Sequence, residues 1–209
     1  MTGKSCVGNS EFLQCIEQAV EIIKEGGVVA FPTETYYGLA ADPFNDKALG
    51  RIFAAKARPQ HKPILNLVES RDQIPMLADG VSELLCPLME KFWPGPLTLV
   101  FPARKNISKL LTGGTNTVGV RVSSHQVAQC LVEAMGCPIT ATSANISGQP
   151  AAKTALEVTR QLGGQVDLVI DGGPTPGGQG STIVGLKGRE LHLVREGVIP
   201  FKDCLEVFV

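Results

Sequence analysis

The sequence predicts an α/β layered domain with a mixed sheet. Three observations lead there. Short apolar, β-branched runs alternate with segments of helical period along most of the chain. The 23 Gly and 14 Pro fall at the ends of those segments, as turn punctuation, rather than in one block. No repeat and no linker divides the 209 residues, a length that suits one domain with a substantial core.

The elements follow in order. Ser10 is placed to cap a helix over 10–24, in which Leu13, Ile16, Val20 and Ile23 recur at helical spacing, and Gly26-Gly27 end it. A short strand over 28–31 is stopped by Pro32. Asp46 is placed to cap a helix over 46–57 with Ala48, Ile52 and Ala55 inward and Pro59 just past its end. Strands are expected at 64–68, 97–101, 117–122, 138–142, 166–170, 182–186 and 191–195, and helices at 82–92, 125–135 and 154–162. The loop 172–180, GGPTPGGQG, lies between strands and suits a mobile cover over a site.

Composition narrows the function. Hydrophobic residues make up 44% and charged residues 19%, which excludes a disordered chain. A net charge of -1 argues against nucleic-acid grip as the sole role, while leaving room for a local cationic groove. The apolar runs fall far short of the roughly 20 residues that span a bilayer, so no membrane is expected. The N-terminus carries Lys4 but no apolar run, so no signal peptide is expected either. Cys6, Cys15, Cys86, Cys130, Cys137 and Cys204 form no CxxC pair and read as free thiols in the reducing cytoplasm. His61, His125 and His192 are too widely spaced to suggest zinc.

The chain has no GxxxxGK[ST] loop, no GxGxxG opening a helix and no GxSxG elbow. Its polar clusters lie at strand ends instead. Pro32-Thr33-Glu34-Thr35-Tyr36-Tyr37-Gly38-Leu39 crowds hydroxyls, a carboxylate and both tyrosines of the chain into one turn. Capping alone explains such a turn equally well. Lys56, Arg58, His61 and Lys62 sit at a helix end and the loop beyond, where cations are favoured in any case; the functional alternative is a polyphosphate clamp. Arg121 stands inside the β-branched run Gly119-Val120-Arg121-Val122, and needs either a salt-bridge partner or a polar cavity. Hydroxyls and an amide from Thr140 to Ser147 follow a strand, where ligand crevices form in open α/β sheets. Gly180-Ser181-Thr182 enters another strand, and Arg195 ends the next. The inventory is about four cations, several hydroxyls and Asn145, with no nucleophile beside a base; it suits an anionic ligand better than covalent catalysis.

PTETYYGL, KARPQHKPI, FWPGPLTLVF, TVGVRV, TATSANISG and GSTIV followed by LVREG stand in the order and spacing of the YrdC family, the threonylcarbamoyl-AMP synthases, which the chain resembles from about residue 19 to 199. The resemblance implies a YrdC-like fold over 1–209: one domain with a large twisted mixed sheet, flanking helices and a concave cationic groove, in the short, single-domain form. It implies a nucleotidyltransferase that joins L-threonine, bicarbonate and ATP into threonylcarbamoyl-AMP and pyrophosphate, the first step of threonylcarbamoyladenosine modification of tRNA. By resemblance Thr35, Arg121 and Ser181 bind threonine, and Arg121 takes its carboxylate. Arg58 and Lys62 hold the ATP phosphates with Lys56 beside them; Thr117, Ser143, Asn145 and Arg195 also bind ATP. Many relatives carry a His a few residues after the KxRP segment, where this chain has Asn66-Leu67. That departure bears on the shape of the amino-acid pocket.

The chemistry this implies is electrostatic. A carbamate must approach the α-phosphate of ATP, anion on polyanion, so fixed cations and donors are the equipment needed. Mg²⁺ is expected with ATP, held by phosphates and water, because the sequence offers no acidic cluster for it. The expected partners are ATP, L-threonine, bicarbonate and a downstream tRNA threonylcarbamoyl transferase complex, with tRNA or double-stranded RNA as a further candidate. Two alternatives remain: an RNA-binding module without catalysis, and a carbamoyl-adenylate former like the YrdC-like domain of hydrogenase-maturation proteins.

Overall fold

The computed structural model describes residues 10–208. The expectations for Lys4, Cys6 and the chain ends fall outside them. The described residues form α1 (Ser10–Lys24), β1 (Val29–Pro32), β2 (Tyr37–Ala40), α2 (Asp46–Lys56), β3 (Asn66–Leu67), α3 (Cys86–Phe92), β4 (Leu97–Pro102), α4 (Lys109–Thr112), β5 (Thr117–Arg121), α5 (Gln126–Met135), β6 (Ile139–Thr140), β7 (Thr142–Ser143), α6 (Ala155–Leu162), β8 (Leu168–Val169), β9 (Thr182–Lys187), β10 (Glu190–Arg195) and α7 (Phe201–Val207). Turns of 3₁₀ helix at Arg71–Met76 and Glu83–Leu85 complete the list.

The mixed α/β class is as expected, but the strands divide into two mixed sheets and not one. The first has the order β7-β2-β1-β8 and the second β10-β9-β4-β5-β3-β6. In the first, β1 runs antiparallel to β2 and parallel to β8. In the second, β4 runs antiparallel to β5 and parallel to β9. The expected strand over 138–142 explains the division, because it is two strands. Thr140 pairs with Asn66 in the second sheet, and Thr142 pairs with Leu39 in the first. Between them Ala141 N donates to Leu65 O at 2.7 Å, and the chain crosses from sheet to sheet.

Burial follows the pleat of β1. Val29 and Phe31 face a cluster with Ile16, Ala19 and Ile23 of α1 and Val127, Leu131 and Val132 of α5. Ala30, with Tyr37 and Leu39 of β2, faces the larger cluster that takes in Ile52 of α2, Leu99 of β4 and Val120 of β5. The centre of the first sheet is therefore covered on both faces, and β1 reads as a continuous apolar run.

Several boundaries moved for identifiable reasons. Ser10 lies inside α1, not before it. The side chain that caps α2 is Asn45, which accepts from Lys47 N and Ala48 N, and not Asp46. The expected helix over 82–92 starts as a 3₁₀ turn because Pro87 must sit in the first turn of α3. Thr154 and His125 cap α6 and α5 by accepting from Glu157 N and Val127 N. Cys15, Cys86, Cys137 and Cys204 are free thiols, but Cys130 is disulfide-bonded, which corrects the free-thiol expectation there; sulfurs can meet without adjacency in sequence. No helix among the described residues is long and apolar enough to cross a membrane.

Candidate active site

A cavity of about 710 Å³ opens where the two sheets meet. The first sheet supplies the turn between β1 and β2, with Thr33, Thr35 and Tyr36, and Ser143 at the end of β7. The second supplies Arg121 from the end of β5, Ser181 from the approach to β9, and Arg195 from the end of β10. Arg58 and Lys62 enter from the loop after α2. Seven of the ten residues singled out from the sequence thus line one cavity: Thr35, Arg58, Lys62, Arg121, Ser143, Ser181 and Arg195.

The β1–β2 turn is built around Thr33. Its Oγ1 donates to Tyr36 O at 2.7 Å and accepts from Thr35 N and Tyr36 N. With its one proton committed, Thr33 must accept in the 3.0 Å contact with Thr35 Oγ1. The Thr35 hydroxyl is left as an acceptor toward the cavity. On the opposite wall, Thr98 Oγ1 lies 2.9 Å from Ser181 Oγ. Arg195 NH2 donates to Ser181 O at 2.7 Å and lies 3.3 Å from Ser181 Oγ. Gly180 has no side chain for a reason: a Cβ there would sit 3.0 Å from Arg195 NH2.

The cations form a ladder. Burial, then Arg58, pushes Lys56 down to about 7. Burial, then Arg195, lowers Arg58; burial, then Arg121, lowers Arg195. Arg121 is lowered by burial and raised again by Glu34. Burial is the main cause of each shift, with the neighbouring cation second for Arg58 and Arg195, so Arg58, Arg121 and Arg195 stand partly desolvated on one cavity wall, where an anion would be favoured.

Three expected residues are not in the lining. Lys56 is fully buried and donates to Ser143 O, Asn145 O and Asn145 Oδ1. It therefore holds the 143–145 turn from behind and does not line the cavity. Asn145 is committed to the same turn: Ser143 Oγ donates to its Oδ1 at 2.6 Å, and its Nδ2 donates to Ile146 O and Gln149 O. Thr117 lies at the far end of β5, in a second hollow of about 690 Å³ that meets the first at Val194.

Other lining residues were not singled out. Leu65 lines the cavity, whereas Leu67, at the expected position of the missing His, is buried against α1 and α5. Glu34 and Ser123 bind behind Arg121. The signal for Glu34 was present, since an Arg inside a strand requires a partner; nothing in the spacing said which carboxylate. The loop 172–180 is tied to the turn rather than free of it. Gly177 N donates to Thr35 O, Tyr36 Oη to Gly178 O and Tyr37 Oη to Gly173 O, each at 2.8 Å. Gly173, Gly177 and Gly178 all have positive φ, which makes glycine necessary there.

Known proteins with this arrangement are informative. The family model Sua5_yciO_yrdC, described as telomere recombination, matches residues 21–197. The chain belongs to that family. A Pyrococcus abyssi relative named threonylcarbamoyl-AMP synthase is 41% identical over 92% of the chain. A Vibrio cholerae relative of the same name is 40% identical over 87%. The crystal structure of P. abyssi Sua5 complexed with L-threonine superposes with a TM-score of 0.88, at 41% identity over 92% of this chain and 56% of that one. The chain spans 56% of the P. abyssi relative's length, but it spans 97% of the V. cholerae family member.

Proposed function

We propose that the chain is a threonylcarbamoyl-AMP synthase, a nucleotidyltransferase that converts L-threonine, bicarbonate and ATP into threonylcarbamoyl-AMP, pyrophosphate and water. The observation that carries the reading is the convergence of Arg58, Lys62, Arg121 and Arg195 with the hydroxyls of Thr35, Ser143 and Ser181 on one cavity. In it the threonine carboxylate rests on Arg121. Its β-hydroxyl donates to Thr35 Oγ1, whose own proton is already committed to Thr33. A site built to bond that hydroxyl rejects amino acids that lack it.

The carbamate formed from the amine and bicarbonate attacks the α-phosphorus, and pyrophosphate departs. Arg58, Lys62 and Arg195 offset the charge that builds on the phosphate oxygens. The turn held by Lys56 aims Ser143 at the same region, and the nucleoside end of ATP extends past Val194 toward Thr117. Among the described residues no cluster of acidic, His or Cys side chains fits a resident metal. Mg²⁺ comes in with ATP, shared by phosphate oxygens and water. The product passes to a tRNA threonylcarbamoyl transferase in the cytoplasm.

Pyrophosphate release from ATP tests the reading. Release that depends on both threonine and bicarbonate is expected. Release that ignores threonine, or binding of RNA without any release, would replace the proposal with one of its two alternatives.

A further inference from the structure

Among the carboxylates of the described chain, one is placed oddly. Glu34 lies next to Arg121, one of the four cations that line the cavity, in the turn that also presents Thr35. It is not part of the cavity lining; it stands behind Arg121, with only 13% of its side chain exposed against 7% for Arg121. Arg121 NH1 donates to one Glu34 oxygen, and Ser123 Oγ donates to the other. Ser123 Oγ in turn accepts from His125 N at 3.2 Å, just ahead of α5. Both carboxylate oxygens thus have fixed partners: Arg121 from β5 of the second sheet and Ser123 from the loop that follows it, while Glu34 lies in the β1–β2 turn of the first sheet.

We propose that Glu34 is a positioning residue for amino-acid recognition: clamped by Ser123, it fixes the Arg121 guanidinium so that its remaining N–H groups face the cavity and receive the substrate carboxylate.

Three physical points support this. An arginine side chain has several rotatable bonds, and fixing it in advance removes an ordering cost from ligand binding. Among the described residues Glu34 is the sole hydrogen-bond partner of the Arg121 side chain, so the other guanidinium donors remain for a ligand. Burial alone works against the charged guanidinium, and the adjacent carboxylate offsets that penalty. Glu34 also explains why a carboxylate is tolerated beside an anion site: it faces the back of the arginine, and the substrate faces the front.

The proposal rests on the threonine-dependent reading above, so wild-type turnover is measured first. If the wild type shows no threonine-dependent pyrophosphate release, the functional reading fails and Glu34 is not at issue. With turnover established, Glu34→Gln is expected to raise the threonine KM about tenfold, while the ATP KM and kcat stay within about twofold. Ser123→Ala, a milder change if the first variant folds poorly, is expected to raise the threonine KM about two- to threefold. On an Arg121→Lys background Glu34→Gln is expected to add little, because both changes act through one group. A threonine KM that is unchanged or lower in both Glu34→Gln and Ser123→Ala overturns the proposal; a lower value would mean that Glu34 competes with the substrate. Equal rises in the threonine and ATP KM values, together with a lowered melting temperature, would also overturn it and leave Glu34 a purely structural tie.

Discussion

The two ends of the cavity hold their cations in different ways. At one end, Arg58 and Lys62 sit on the loop after α2. Arg58 is tied only to its own loop, through Lys62 O at 3.4 Å and Pro63 O at 3.0 Å, and Lys62 is exposed. At the other end, Arg121 is 5% exposed inside a strand and locked to Glu34. A long polyanion tolerates cations that adjust to it, whereas a small zwitterion is selected by groups that do not move. Under the proposed function, affinity for phosphate would rest on the loop and discrimination among amino acids on the strand.

That contrast can be broken by removing each end separately. The largest effect is expected from Arg58→Ala combined with Lys62→Ala, which should cut kcat/KM for ATP by about a thousandfold and leave the melting temperature within about 2 °C. Each single change should already remove most turnover. A double variant that stays active would move the phosphate clamp elsewhere.

Arg121→Ala should raise the threonine KM about a hundredfold. Unlike the loop variants it should also lower the melting temperature by several degrees, because it strands a carboxylate in a buried place. Arg58→Lys should keep much of the activity, while Arg121→Lys should not, since a lysine cannot both pair with Glu34 and present a fork. Equal tolerance at the two positions would erase the distinction.

The smallest effect on catalysis is expected behind the wall. Lys56→Met leaves the acceptors of the 143–145 turn unsatisfied and should cost about 3 kcal/mol of stability. The folded protein releases the Lys56 proton at about 7, and an unfolded chain does so at the ordinary ~10.4 of lysine. Between those values the unfolded state binds more protons, so stability rises with pH. The advantage of the wild type over Lys56→Met should therefore grow from about pH 7 upward, as read by denaturant melts at a series of pH values. A gap that shrinks over that window would show that the three oxygens around Nζ outweigh burial.

Much of this was legible in the sequence, and the failures have physical causes. The amphipathic faces of α1, α2 and α5 were visible because their period of burial is local. The strand β2 was missed because Tyr37–Ala40 looks like the tail of a polar turn until its pairing with β1 is formed. The crossing at Ala141 was invisible because a continuous extended stretch, Ile139 to Ser143, does not show which sheet each residue joins. Of the cations singled out by type and place, Arg58, Arg121 and Arg195 line the cavity. Lys56 was expected at the phosphate end and lies behind the wall, although a lysine at a helix end ordinarily reaches outward. Here its ammonium turns inward to carbonyl oxygens 87 and 89 residues further along the chain.

The crossing at Ala141 has a mechanical meaning as well. One short segment, from Ile139 to Ser143, is stitched into both sheets, and Ala141, Thr142 and Ser143 all line the cavity. If one sheet tilts against the other, this seam lies nearest the axis of the tilt. Arg195, on the edge strand β10 at the opposite side of the second sheet from β6, lies farther out and travels more, whereas the Thr35 turn is held to the second sheet by the Glu34–Arg121 pair. Such a joint would let the cavity widen and narrow around a ligand while the floor beneath it stays in register.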